Sequence, residues 1–288
     1  MKIFKTSATL LAALATSAIA AFAQWPDYPT PGPRTKDGKI DLAAPAPRTA
    51  DGKPDFSGLW EPARGQGGRG RGGESFNGTR PLPFAIPSAP GDPPVAQFFN
   101  IGAGFKEGLP FTPWAAQLRA QRKGNNNKDN PDAACLPLGL TQLHMHPQPR
   151  KIVQTPREIV VMYEANGNLR QILMDGRTLP KDPTPWWYGY SIGHWDGDTL
   201  VVETSGFRDD VWLDVEGSPL TSTGKMVERW RRPKFGLMQI DITIDDPKAY
   251  TKPFTVRVNH QLMADTELME FVCEERDAVH YVGKPAAK

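Results

Sequence analysis

The residues able to move protons in this 288-residue chain are five histidines and a handful of carboxylates set among strand-like alternations. Over residues 254–262, Phe254, Val256, Val258 and Leu262 fall on one line against Thr255, Arg257, Asn259 and Gln261. His260 sits on the apolar line, where an imidazole has to find a partner or line a cavity. Upstream, Trp186, Trp187, Tyr188, Tyr190 and Trp195 crowd one short stretch, with His194 on the line of Tyr188, Tyr190 and Ile192. Aromatic rings with polar tips suit a small-molecule pocket, and they also fill barrel cores. Glu203 shares a line with Thr199 and Val201, and Glu270 sits between Leu268 and Val272. A carboxylate turned inward gains a raised pKa suited to a general acid or base.

These residues support three functional classes. The first is a pocket for a small apolar or aromatic ligand, lined by Trp187, Tyr188, Tyr190, His194 and His260. The second is an enzyme of hydrolase or isomerase type, pairing His194 or His260 with Glu203 or Glu270. The third is an envelope interaction module, for which the sequence names no partner. His144-Met145-His146 has metal-like spacing if extended, but Pro147 and Pro149 follow and no acidic third ligand is near, so no metal site is expected. The chain has no nucleophile elbow, phosphate loop, haem-attachment pair or dinucleotide fingerprint, and no cofactor is expected.

The elements that must position these groups lie mainly after residue 150. Period-two segments are expected at 151–155, 158–164, 168–174, 188–195, 199–204, 225–232, 236–244, 254–262 and 267–274. Asn166-Gly167 and Asp196-Gly197 are hairpin signals. No intervening segment has helical length and period, so the pattern predicts an all-β, antiparallel up-and-down meander closing into a lipocalin-like barrel, with a β-sandwich as the alternative. Before it runs a long Pro/Gly-rich arm, where most of the 29 Pro and 27 Gly concentrate. The arm carries a duplicated turn, Arg34-Thr-Lys-Asp-Gly-Lys39 and Arg48-Thr-Ala-Asp-Gly-Lys53, and one helix over 113–123 capped by Thr112. The organisation reads as 1–23, 24–130 (the arm, a candidate lid) and 131–288 (the β domain).

Residues 1–23 read as a cleaved export signal: Lys2 and Lys5, an apolar run, then Ala21-Phe22-Ala23. The expected location is periplasmic or secreted, with no transmembrane segment after cleavage. Losing Lys2 and Lys5 removes the formal +2 charge, which excludes a nucleic-acid binder of the usual basic kind. The Arg-Gly tract within 63–80 then reads as a loop. In an oxidising compartment the only possible intramolecular disulfide joins Cys135 to Cys273; two buried free thiols are the other reading.

Several long strings resemble a widespread family of exported bacterial proteins with no assigned activity. They are Arg48-Thr-Ala-Asp-Gly-Lys-Pro-Asp-Phe-Ser-Gly-Leu-Trp60, Cys135-Leu-Pro-Leu-Gly139, Lys151-Ile-Val-Gln-Thr-Pro156, the run from Gly189 to Thr204, and the run from Thr243 to Pro253. The resemblance covers most of 48–275 and implies export, but it carries no catalytic residues. Within it, Gly58-Leu59-Trp60 is similar to the Gly-x-Trp that opens the first lipocalin strand.

Overall fold

The computed structural model describes residues 28–63 and 82–273. The expected leader and nearly all of the Arg-Gly tract lie outside the described residues.

Nine strands close into a barrel: β1 (Gly58–Pro62), β2 (Arg150–Gln154), β3 (Glu158–Tyr163), β4 (Leu169–Leu173), β5 (Tyr190–Asp196), β6 (Thr199–Ser205), β9 (Lys225–Lys234), β10 (Leu237–Asp245) and β11 (Phe254–Leu262). Their order around the wall is β1-β11-β10-β9-β6-β5-β4-β3-β2, and β1 pairs with β2 to complete it. Two short strands, β7 (Val211–Trp212) and β8 (Pro219–Leu220), form a separate hairpin between β6 and β9. Closure follows from alternation. Met238, Ile240, Ile242 and Ile244 on β10, with Met226, Glu228 and Trp230 on β9, are fully buried inward lines whose partners on the other face meet solvent or loops. Among the described residues, no helix is long and apolar enough to cross a membrane.

Three features depart from the expected meander. β4 and β5 pair in parallel, through Ile172 with Ser191 and Leu173 with Ile192. Residues 174–189, carrying Pro180, Pro183 and Pro185, bring the chain back to the starting end without a helix, and a parallel pair needs a connection of about a dozen residues or more. Second, the closing strand β1 comes from the Pro/Gly-rich segment. Third, the strand expected at 267–274 does not form over its described residues, 267–273: 263–273 run irregularly across the surface.

The duplicated turns act as clips. Gly38 and Gly52 both sit at φ +78°, a conformation that favours glycine, and each carbonyl receives a guanidinium donor, from Arg34 at 2.8 Å and Arg48 at 2.7 Å. The same two arginines reach other parts of the chain, Arg34 to Asp265 just past β11 at 3.0 Å and Arg48 to Asp198 in the β5–β6 turn. Just past the second clip, Phe56 plugs one barrel end, stacked on Trp195 and edge-on to Trp230. The expected helix forms as α1 (Pro113–Gly124), with Thr112 accepting from the Ala115 amide. The Cys135–Cys273 disulfide is present, with Cα atoms 5.5 Å apart.

Candidate functional site

The other barrel end is closed by a six-residue helix, α2 (Leu140–Met145), every residue of which is buried. Its entry depends on Gly139. A Cβ there would lie 2.1 Å from the Trp212 carbonyl oxygen, so only glycine lets the chain pass β7 this closely. Thr141 ties the first turn to the Leu213 carbonyl at 2.5 Å.

α2 delivers His144 into a buried polar cluster. Its Nε2 lies 2.7 Å from Oε1 of Glu228 on β9. Glu228 also receives the guanidinium of Arg170 on β4, which donates to Ser191 on β5 (3.1 Å) and Thr204 on β6 (3.0 Å). These groups are almost wholly buried. A second arginine, Arg150 on β2, donates to the carbonyls of His144 (2.7 Å), His146 (2.8 Å) and Gln148 (3.2 Å), which terminates α2. The same Nη1 lies 2.5 Å from Nε2 of His260 on β11. The two imidazole centroids are 5.7 Å apart, and Trp230 packs edge-on against His144 at 5.9 Å.

Burial dominates the electrostatics. It pushes His144 and His260 below the usual imidazole range, and the Arg150 charge adds to the effect on both. Burial alone would raise Glu228, but the Arg170 charge and the His144 hydrogen bond outweigh it and hold the carboxyl ionised. Arg150, without a carboxylate partner among the described residues, is lowered to about 10. Both rings are therefore neutral at pH 7. Glu228 can only accept, so His144 carries its proton on Nε2 and Nδ1 is bare. Among the described residues, that Nδ1 has no hydrogen-bond partner.

A cavity of about 210 Å³ abuts the cluster, walled by Phe98, Phe99, Met145, Val258, Asn259 and His144. Phe99 is 65% exposed and marks where this cavity meets solvent. Larger clefts lie elsewhere on the molecule. One of about 780 Å³ runs between the prolines of 29–33 and β1, but its charged groups are already engaged: Lys151 with Glu267, and Arg232 with the carbonyls of Asp55 and Phe235. Clefts of about 670 and 450 Å³ border Glu203 and Trp187 respectively.

The residues expected at a site are dispersed. His260 faces inward, fully buried, and joins the cluster. Tyr188 is half-buried, its ring 6.5 Å from Tyr163 on the inner wall. Trp187 packs under Arg208 at 4.6 Å, away from His260. Tyr190 points outward and accepts from Arg177 at 2.8 Å, while His194 is exposed. Glu203 lies on the outer face of β6, and Glu270 is exposed on the irregular C-terminal run. No expected His–carboxylate pairing therefore forms, because the inward line of β5 is Ser191, Gly193 and Trp195. The His144/His146 pair is not extended either. His146 caps α2, accepts from the Gln148 amide at 3.2 Å and packs edge-on to Phe98. No group of three or more His, Cys, Asp or Glu that could hold a metal occurs among the described residues.

The residues that do converge, His144, Glu228, Arg170 and Arg150, left one sequence signal. Each charged member sits on an apolar line: Glu228 between Met226 and Trp230, Arg170 two before Ile172, and Arg150 two before Ile152. No protein-family model, curated protein or solved structure matches the chain.

Proposed function

We propose that this chain is an exported binding protein, of the bacterial family its long motifs resemble, and that it takes one small apolar or aromatic molecule into the cavity beside α2. The observation that carries this reading is the 210 Å³ cavity, whose walls are mainly apolar and reach the buried polar cluster through His144. About 150 Å³ suffices for benzene in an apolar protein cavity, so a single substituted ring is the right scale. The disulfide suits an oxidising compartment, which supports export.

Native mass spectrometry and tryptophan-fluorescence titration with one- and two-ring aromatic compounds test the reading, with Trp230 against His144 as a reporter. Saturable one-to-one binding, weakened by Ala96→Leu in the cavity wall, is the expected result. Absence of saturable binding across the panel overturns it.

Proton transfer in the same cavity is a second reading, favoured by the Glu228–His144 pair, in which a carboxylate orients an imidazole that borders the cavity. It predicts that a bound ketone is converted to its tautomer or exchanges its α-hydrogens in deuterated water. Recovery of every ligand unexchanged removes it and leaves binding.

A further inference from the structure

Of the two arginines in α1, one lacks a carboxylate. Arg119 pairs with Glu216, which Lys123 also approaches at 3.6 Å, whereas Arg122 forms no ion pair among the described residues. Its guanidinium is nevertheless held in place. The Trp212 ring on β7 lies 4.4 Å from it, and Nη1 donates to the Gly217 carbonyl between β7 and β8 at 2.9 Å. Gly217 sits at φ +86°, and a Cβ there would lie 2.8 Å from Arg122 Cδ, so glycine makes room for the side chain. Nε and Nη2 have no hydrogen-bond partner and are not among the enclosed atoms of the described residues. Part of a positioned guanidinium fork is therefore both free and reachable.

The neighbouring carboxylates are engaged. Asp210 accepts from Arg208 at 2.8 and 2.9 Å, and Asp214 from the Ile101 amide and from the amide and hydroxyl of Ser218. Asp129 is exposed and accepts from Asn125 at 2.9 Å. Burial lowers Arg122 to about 10, so a seated anion would restore solvation that the fold has removed.

Arg122 lines the cleft of about 450 Å³ beside Trp187, a volume within the range of roughly 300–1,000 Å³ typical of small-molecule sites. Lys128 and Asn130 share the lining, and the Asn130 side-chain NH2 is also without a partner. Leu118, Leu136 and Trp187 supply apolar surface. With Asp210 matched by Arg208, the two cations of the lining exceed Asp129 by one charge, which suits a monoanion. A doubly charged phosphate would meet both Asp129 and Asp210 at close quarters.

We propose that this cleft is a second binding site, for a small organic molecule with a single carboxylate that the free edge of Arg122 receives while its apolar body lies against Leu118, Leu136 and Trp187. The cleft shares no lining residue with the cavity beside α2, so the two sites stand or fall separately.

Benzoate, its neutral analogue benzyl alcohol and inorganic phosphate separate the possibilities in nuclear magnetic resonance titrations of the full chain. The Trp187 indole N–H and the Arg122 Nε–H report this cleft and not the other cavity. Benzoate shifts both signals saturably and binds at least about tenfold tighter than benzyl alcohol, because charge-assisted hydrogen bonds to guanidinium are the stronger kind. In Arg122→Gln, followed at Trp187, benzoate falls to the level of the alcohol. The Arg122 signal in the wild-type chain decides even if the variant fails to fold.

Benzyl alcohol binding as tightly as benzoate overturns the anion inference. Phosphate matching benzoate overturns the carboxylate class, and benzoate affinity kept in a folded Arg122→Gln overturns the assignment to Arg122. Signals that no compound moves remove the site, and leave the reading of the cavity beside α2 untouched.

Discussion

Acidification should unfold this protein well above the pH at which its carboxylates titrate, and the histidines set the size of the effect. His146 is lowered by burial to about 4, against about 6.5 in the unfolded chain. Its folded form is neutral, so as pH falls through 6.5 the unfolded chain gains a proton that the folded chain refuses. Stability therefore drops from about pH 6.5 until the folded ring also protonates near pH 4. At 1.36 kcal/mol per pKa unit, His146 alone costs about 2 kcal/mol between pH 7 and pH 5. His144 and His260 are lowered in the same direction by burial and by Arg150, so they steepen the same window. Urea midpoints at pH 7.5, 6.5 and 5.5, with a constant m value, convert directly to protons taken up on unfolding. Uptake above one proton near pH 5.5, reduced by about one in His146→Gln, is expected. Flat or rising stability on acidification would refute the reasoning, because it would mean the inner rings are already charged in the fold.

Other substitutions probe the supports of the site. Glu228→Gln strips the carboxylate from Arg170 and His144 and should cost about 3–5 kcal/mol in a denaturant melt; an unchanged midpoint would mean that Arg170 is compensated elsewhere. Replacing Cys135 and Cys273 by Ser releases a loop spanning a sequence separation of 138 and should lower stability by up to about 5 kcal/mol. Gly139→Ala drives a methyl group against the Trp212 carbonyl and should lower Tm by an amount corresponding to about 1–3 kcal/mol, and a wild-type Tm would show that α2 can shift freely.

The legible parts of the sequence were those where one local rule decides. β10 and β11 alternate without interruption, which placed His260 inside, and two cysteines allow only one intramolecular pairing. β1 left one mark, the Gly58-Leu59-Trp60 motif similar to the opening of the first lipocalin strand; its alternation was hidden because its five residues lie in a Pro/Gly-rich stretch and pair only with β2 and β11. The parallel β4–β5 pairing left no local mark, since prolines in 174–189 read as turns. β5 misled for a steric reason. Its inward line begins with the small Ser191 and Gly193 before Trp195, and Gly193 faces Met174, whose sulfur would lie 2.4 Å from an added Cβ. The bulky line of Tyr190, Ile192 and His194 is accordingly the outer one. Glu228 was visible only as a charge on an apolar line, and its partners come from α2 and β4, far away in sequence.

The cluster's geometry has one consequence that spectroscopy can read directly: opposite neighbours impose opposite tautomers on adjacent rings. Glu228 only accepts, which fixes His144 as the Nε2–H form. Arg150 only donates, and its Nη1 lies 2.5 Å from His260 Nε2, so a proton on that nitrogen would set donor against donor. His260 therefore carries its proton on Nδ1: its Nε2 also lies 2.7 Å from the His144 carbonyl oxygen, but a proton there would meet the nearer Nη1 of Arg150 donor against donor. The barrel end thus holds a bare ring acceptor on one histidine and a ring N–H on the next, with centroids 5.7 Å apart. Long-range proton–nitrogen correlation spectra at pH 7 should show two neutral imidazoles of opposite type. Two rings of one type, or either ring doubly protonated, would refute the assignment.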